Sequence, residues 1–248
     1  MTLWRLEWLR LLRTRRLLVM VAVYVFFGLM APVTTRYLPQ ILDRVGNGVQ
    51  VQLPPPTPAQ GLADFANNAS QIGLLVALIV AASALAVDSR AEMAIFLRTR
   101  VTTVRAIIVP AYVMSTAAAV AALVAGTAAA WYETAILLGT PSPSSMLLGT
   151  AFGALFLVFA IACTAVVAYL VRSVLATVGV TVVVMLAMAT LGAVPHVGRW
   201  LPTTLLSALP KLVGGSPVSD LLPAAAVAVV VTLAALPLAV TLAARREI

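Results

Sequence analysis

The sequence predicts an all-α polytopic membrane protein, and three observations lead to that class. Of 248 residues, 62% are hydrophobic and only 10% charged, whereas ordinary soluble domains carry roughly 25% charged residues. Mean hydropathy is +1.07. The apolar residues gather into runs of about twenty, the length of helix that crosses a hydrocarbon core ~30 Å thick. Six such runs leave no room for a sizeable soluble domain, so any large catalytic domain must belong to another polypeptide. The net charge is +8, but a nucleic-acid binder would gather its basic residues on one soluble face. Here they sit in short segments at the ends of the apolar runs, which argues against nucleic acid as a partner.

Residues 1–16 place Trp4, Trp8, Leu11 and Leu12 at i, i+4, i+7 and i+8, while Glu7, Arg10 and Arg13 fall elsewhere around the helix. This predicts an interfacial amphipathic helix anchored by Trp4 and Trp8 at the headgroups, with Arg10 and Arg13 reaching water or anionic lipid. Membrane lipid is thus the first expected partner. Span one covers residues 17–33. An outer loop is expected over 34–69, because Arg36, Asp43, Arg44, Asp64 and the run Pro54, Pro55, Pro56 interrupt the apolar pattern. The proline run favours an extended connector, with a short surface helix near residues 60–67.

Span two covers residues 70–87 and leads into 88–105, the long arginine-rich interruption. Span three, 106–132, is rich in alanine, whose small side chain lets helices approach closely in lipid. Span four, 146–171, opens with Gly149-Thr150-Ala151-Phe152-Gly153, a spacing common at helix contacts in membranes. Arg172 and Ser173 turn the chain into span five, 174–194. Residues 195–220 are moderately apolar but broken by Pro195, Pro202, Pro210, Gly214, Gly215 and Pro217. Short broken helices dipping into the outer face fit that pattern, provided protein covers their backbone. Span six, 221–244, contains Pro237.

Charge sets the orientation. Twelve of the sixteen basic residues lie at the N-terminus, in 88–105, at Arg172 or at the C-terminus; only Arg36, Arg44, Arg199 and Lys211 lie on the opposite side. Positive charge marks the cytoplasmic side, so both termini and the 88–105 segment are expected inside.

These boundaries leave the spans without ionisable residues, which counts against ion-coupled transport. The chain has one histidine, His196, and one cysteine, Cys163. They do not make a zinc site or a Cys-His pair with carboxylates placed as these are. Glu133 and Asp220 read as residues flanking helix ends. No glycine loop for phosphate is present. The chain is therefore expected not to be an enzyme and to carry neither metal nor cofactor of its own.

If it transports, a soluble partner must supply the work, and 88–105 is the one expected cytoplasmic loop long enough to be gripped. Within it Met93, Phe96, Leu97 and Arg100 fall at i, i+3, i+4 and i+7. Their apolar members could fill a partner's groove while Arg90, Arg98 and Arg100 pair with acidic groups. A surface helix lying on anionic lipid fits the same spacing.

The chain resembles the membrane subunit of ATP-binding-cassette exporters of the ABC-2 type. Asp88-Ser89-Arg90 matches the charged lead of the family's coupling helix, and Ile95-Phe96-Leu97-Arg98-Thr99-Arg100-Val101-Thr102 is similar to its LLLSTPVS portion, followed by Ile107 and Ile108. Ala91-Glu92 stands where the family favours Gly-Thr, Arg100 replaces its proline, and Pro110-Ala111 stands near its Gly-Lys. Near the other end, Arg199-Trp200-Leu201-Pro202 and Ala244-Arg245-Arg246-Glu247-Ile248 resemble the family's terminal pattern.

The resemblance implies an N-terminal elbow helix, six spans and a cytoplasmic coupling helix between spans two and three, with Arg90, Glu92, Met93, Phe96, Leu97, Arg98 and Arg100 as coupling residues. It implies a bacterial inner-membrane permease working with two separate ATPase subunits, which bind ATP and magnesium, and with a second permease copy or a related chain. Substrates of such exporters include drugs, antibiotics, lipids and peptides. The apolar spans favour a hydrophobic or amphiphilic one. A non-transport scaffold or sensor that docks a regulator through the arginine-rich loop is the alternative.

Overall fold

A computed structural model describes residues 3–45, 55–86, 103–171 and 173–245, and among them the secondary structure is helical, with no strand. Helix α1 covers Leu3–Arg13 and α2 covers Arg16–Val45. Helix α3 (Pro58–Asn68) passes through a π-helical turn, Ala69–Gly73, into α4 (Leu74–Leu85). Then come α5 (Arg105–Leu137), α6 (Pro143–Leu170), α7 (Val174–Leu191), the short helices α8 (Pro195–Gly198) and α9 (Ala208–Val213), and α10 (Leu222–Ala244). Two 3₁₀ turns, Pro202–Ser207 and Val218–Asp220, flank α9.

Six of these units are long and apolar enough to cross a membrane: Arg16–Ile41, Pro58–Leu85, Arg105–Leu137, Pro143–Leu170, Val174–Leu191 and Leu222–Ala244. They are spans one to six of a multi-pass membrane protein. The two most buried are spans two and four, at 56% of their apolar windows, against 28% for spans one and six and 22% for span five. The bundle is therefore built around spans two and four, with span five on its edge. Span three packs against spans one, two and four and against α1. The broken segment after span five packs on span four, and its α9 also touches α3. Tyr24, Phe65, Phe156 and Phe159 are among the largest fully buried side chains.

The expected loop 34–69 is corrected by this fold. Helix α2 runs on through Pro32 and Pro39 to Val45, and the next helix begins at Pro58. Only residues 46–57 lie between them, of which 46–54 are outside the described residues. Thr34 and Thr35 do not end the helix, because their hydroxyls are satisfied along it. The Thr34 hydroxyl donates to the Ala31 carbonyl at 2.8 Å, and the Thr35 hydroxyl lies 2.9 Å from the same carbonyl. Thr35 Oγ1 also lies 2.5 Å from Asp64 Oδ2, tying span one to span two. At the start of α3 the hydroxyl of Thr57 accepts from the Gln60 amide, and the Gln60 side chain accepts from the Thr57 amide. That reciprocal pair is a capping box, and Pro58 occupies the first helical position, where a missing N–H costs nothing.

A second correction follows. The spans as folded are not free of ionisable residues, since Arg36, Asp64 and Glu133 lie inside these longer helices. Each sits within two turns of an end of its span, and the central turns of all six spans carry no charged side chain. At 26 to 33 residues, spans one to four exceed the ~20 residues a bilayer core needs, so those charges have room to reach the headgroup level.

Two close approaches fix the helix positions. Gly28 of span one faces the Gly126 carbonyl of span three so tightly that a methyl group on Gly28 would overlap it. A methyl group on Gly126 would lie 2.7 Å from the Tyr24 carbonyl oxygen. The Gly149-x-x-x-Gly153 spacing serves contacts within the chain. Gly149 faces the Leu209 backbone of α9, and Gly153 faces Leu123 of span three.

Candidate functional site

The uncharged space among the spans and the junction before residue 87 are the two places where the fold offers more than packing. A cleft of about 380 Å³ opens between spans two, four and five and the broken segment. Leu74, Leu75 and Leu78 supply its span-two wall, Phe156 its span-four wall, and Val182, Met185, Leu186 and Ala189 its span-five wall. Ser70, Gln71 and Thr203 supply the polar groups, and no charged side chain lines it. A smaller cavity of about 40 Å³ lies towards Tyr24 and Thr127, and it shares Ser70, Leu74, Phe156 and Leu206 with the cleft.

Both spaces border the π-helical turn. Its position follows from the groups packed around it. Gly73 ends the turn where the Tyr24 ring lies against the backbone, and a methyl group there would come within 2.8 Å of the ring. Asn68 Nδ2 donates to the Asp64 carbonyl at 2.9 Å, and Ser70 Oγ donates to the Asn67 carbonyl at 2.8 Å. Side-chain donors thus supplement the backbone where the helix widens. Such turns are frequent at functional sites, and this one aims Ser70 and Gln71 at the cleft rim.

Chemically the cleft can hold an apolar chain and offer hydrogen bonds at one end. It carries no nucleophile with a base. His196 is exposed on α8, and Cys163 is half-buried in span four. Among the described residues no group of three His, Cys, Asp or Glu side chains could hold a metal ion.

The second place is the C-terminal end of span two. Helix α1 turns its Glu7, Arg10 and Leu11 side towards the bundle, with Leu11 only 4% exposed. Arg10 Nη2 donates to the Ser83 carbonyl at 3.1 Å, and its Nη1 pairs with Glu7 at 3.4 Å. Arg16 Nη1 donates to Ser83 Oγ at 2.7 Å, and that hydroxyl donates to the Val80 carbonyl. Ser83 lies in the last turn of α4, where carbonyls lack intrahelical partners and carry the negative end of the helix dipole. Two guanidiniums are well matched to that end. Arg15, at the joint between α1 and α2, has φ +54°.

The interfacial residues separate into two groups here. Trp4, Trp8 and Arg13 are exposed, whereas Arg10 is spent on the protein. This inward role was missed in the sequence because Ser83 is distant in the chain. The cleft was missed because the polar run Asn67-Asn68-Ala69-Ser70-Gln71 reads as a loop end. The expected coupling residues Arg90, Glu92, Met93, Phe96, Leu97, Arg98 and Arg100 lie outside the described residues. The described chain leaves them at Ala86 and resumes at Thr103, between the end of span two and the start of span three.

Comparison with protein-family models, with curated proteins and with solved structures gives no match, so function has to be read from the chain's own residues.

Proposed function

We propose that the chain is the permease subunit of an ATP-binding-cassette exporter for a hydrophobic or amphiphilic substrate, driven by separate ATPase subunits that bind ATP and magnesium. The observation that carries this reading is the uncharged cleft of about 380 Å³ in a six-span bundle whose central turns hold no charged group. Such a chain has a place for an apolar molecule and no ionisable centre through which an ion gradient could do work. Work then has to enter from a partner.

The arginine-rich segment 88–105 joins span two, which lines that cleft, to span three, which packs on span one, and its residues carry the resemblance to a coupling helix. Under this reading the segment and both termini are cytoplasmic, α1 is the elbow helix, and two ATPase copies meet two permease chains. Under the same reading, substrate enters the cleft from the lipid between spans two and five.

The test is affinity isolation of the chain from its native membrane, followed by an assay of ATP hydrolysis in the purified fraction. Hydrolysis that co-purifies stoichiometrically and rises with a lipophilic substrate supports the proposal. A well-folded chain that purifies with no ATPase contradicts it.

A further inference from the structure

We propose that α1 binds the phosphates of anionic lipid on its outer face while its inner face holds the end of span two, so that lipid charge controls the order of that end. The inference goes beyond the exporter reading and does not depend on it.

Leu3–Arg13 has 11 residues, about 16 Å of helix, too short to cross a hydrocarbon core. Exposed apolar residues on the long spans are explained by lipid tails around them, but those on α1 are not. Trp4, Trp8 and Leu12 are 42%, 47% and 46% exposed. Arg5, Arg13 and Arg15 are exposed beside them. Amphipathic indole rings belong at the headgroup level. Guanidiniums match phosphate oxygens in pairs and are weakly hydrated, so they bind phosphate better than they bind a neutral headgroup. Residues 1–16 hold five arginines against one acidic residue, Glu7, and Glu7 is already paired with Arg10. The surface therefore fits an anionic membrane.

The inner face makes this surface consequential. Arg10 and Arg16 bind Ser83 by its carbonyl and its hydroxyl, and Leu11 is buried in the core. Lipid that holds the outer arginines in place holds the inner ones over Ser83 as well. The last turn of α4, ending at Leu85, is then ordered by a force applied outside the bundle.

The test is hydrogen exchange of the Ala84, Leu85 and Ala86 amides in the full chain. It is carried in nanodiscs of phosphatidylcholine alone or mixed with phosphatidylglycerol. Exchange should be about tenfold slower in the anionic discs, and the difference should shrink at high salt. Replacing Arg5, Arg13 and Arg15 by Ala together should abolish the lipid dependence while leaving the Arg10 contact. Arg10→Ala should raise exchange in both lipids, and Arg10→Lys should restore part of the protection. Equal exchange of the wild-type chain in the two lipids would overturn the proposal without any variant. So would a lipid dependence that survives the triple substitution, since that would place the sensor elsewhere.

Discussion

Gly126 shows how far a single residue can decide this bundle. Its missing side chain lets span one lie directly on span three, with the Tyr24 backbone in the space a methyl group would need. Because both partners are main chain, no rotamer change can make room. Gly126→Val should therefore force the two helices apart, at a cost of about 1–3 kcal/mol or more for overpacking. The check is the thermal midpoint of the purified chain in detergent, which should fall clearly. A methyl group on Gly179, by contrast, would meet nothing within 4 Å, and Gly179→Ala should leave the midpoint unchanged or slightly higher, as expected for adding a better helix former. A comparable midpoint for Gly126→Val and the parent chain would show that the crossing is not tight.

Elements show what a sequence of this kind reveals. The six spans, the short helix at the start and the broken segment before span six follow from hydropathy and from prolines, because a bilayer imposes length and burial directly. The ends of the helices do not follow so well. Span one continues past Thr34, Thr35 and Arg36 because threonine hydroxyls return to the helix backbone and Asp64 answers Thr35 from the neighbouring span. A reading that treats polar residues as punctuation stops too early there. The start of α3 was legible, since Thr57-Pro58-Ala59-Gln60 is a capping box with proline at the first position, yet the prolines before it outweighed that signal. The π-helical turn was not legible at all, because it depends on Tyr24 packing over Gly73 across a large gap in the chain. The cap gives a prediction at this scale. Thr57→Ala removes the hydroxyl that accepts from Gln60, and about 1 kcal/mol of helix-end stability should go with it. Exchange of the Gln60 and Gly61 amides should rise about fivefold, with the rest of span two unchanged. No change would mean that packing alone sets this end.

At the scale of the whole molecule, the proposal separates the place where substrate sits from the place where work enters. The cleft between spans two and five is one, and the segment after span two is the other, and span two belongs to both. That separation predicts two different defects. Ala189→Trp fills the cleft from span five, beside Leu186 and Thr203. Transport of an uncharged lipophilic dye into inverted vesicles should fall at least tenfold, while hydrolysis without dye stays near the parent level. Equal transport would remove the cleft from the substrate path.

If a separate ATPase drives this chain through the segment between spans two and three, substitutions in that segment should uncouple the two. Phe96→Ala with Arg98→Glu is introduced into the native complex, membrane insertion is verified, and ATP hydrolysis is measured with and without lipophilic substrate. Insertion should be normal while ATPase attachment or substrate-stimulated hydrolysis is lost, the outcome that coupling through this segment requires. Attachment, stimulation and transport all equal to those of the parent chain would contradict it.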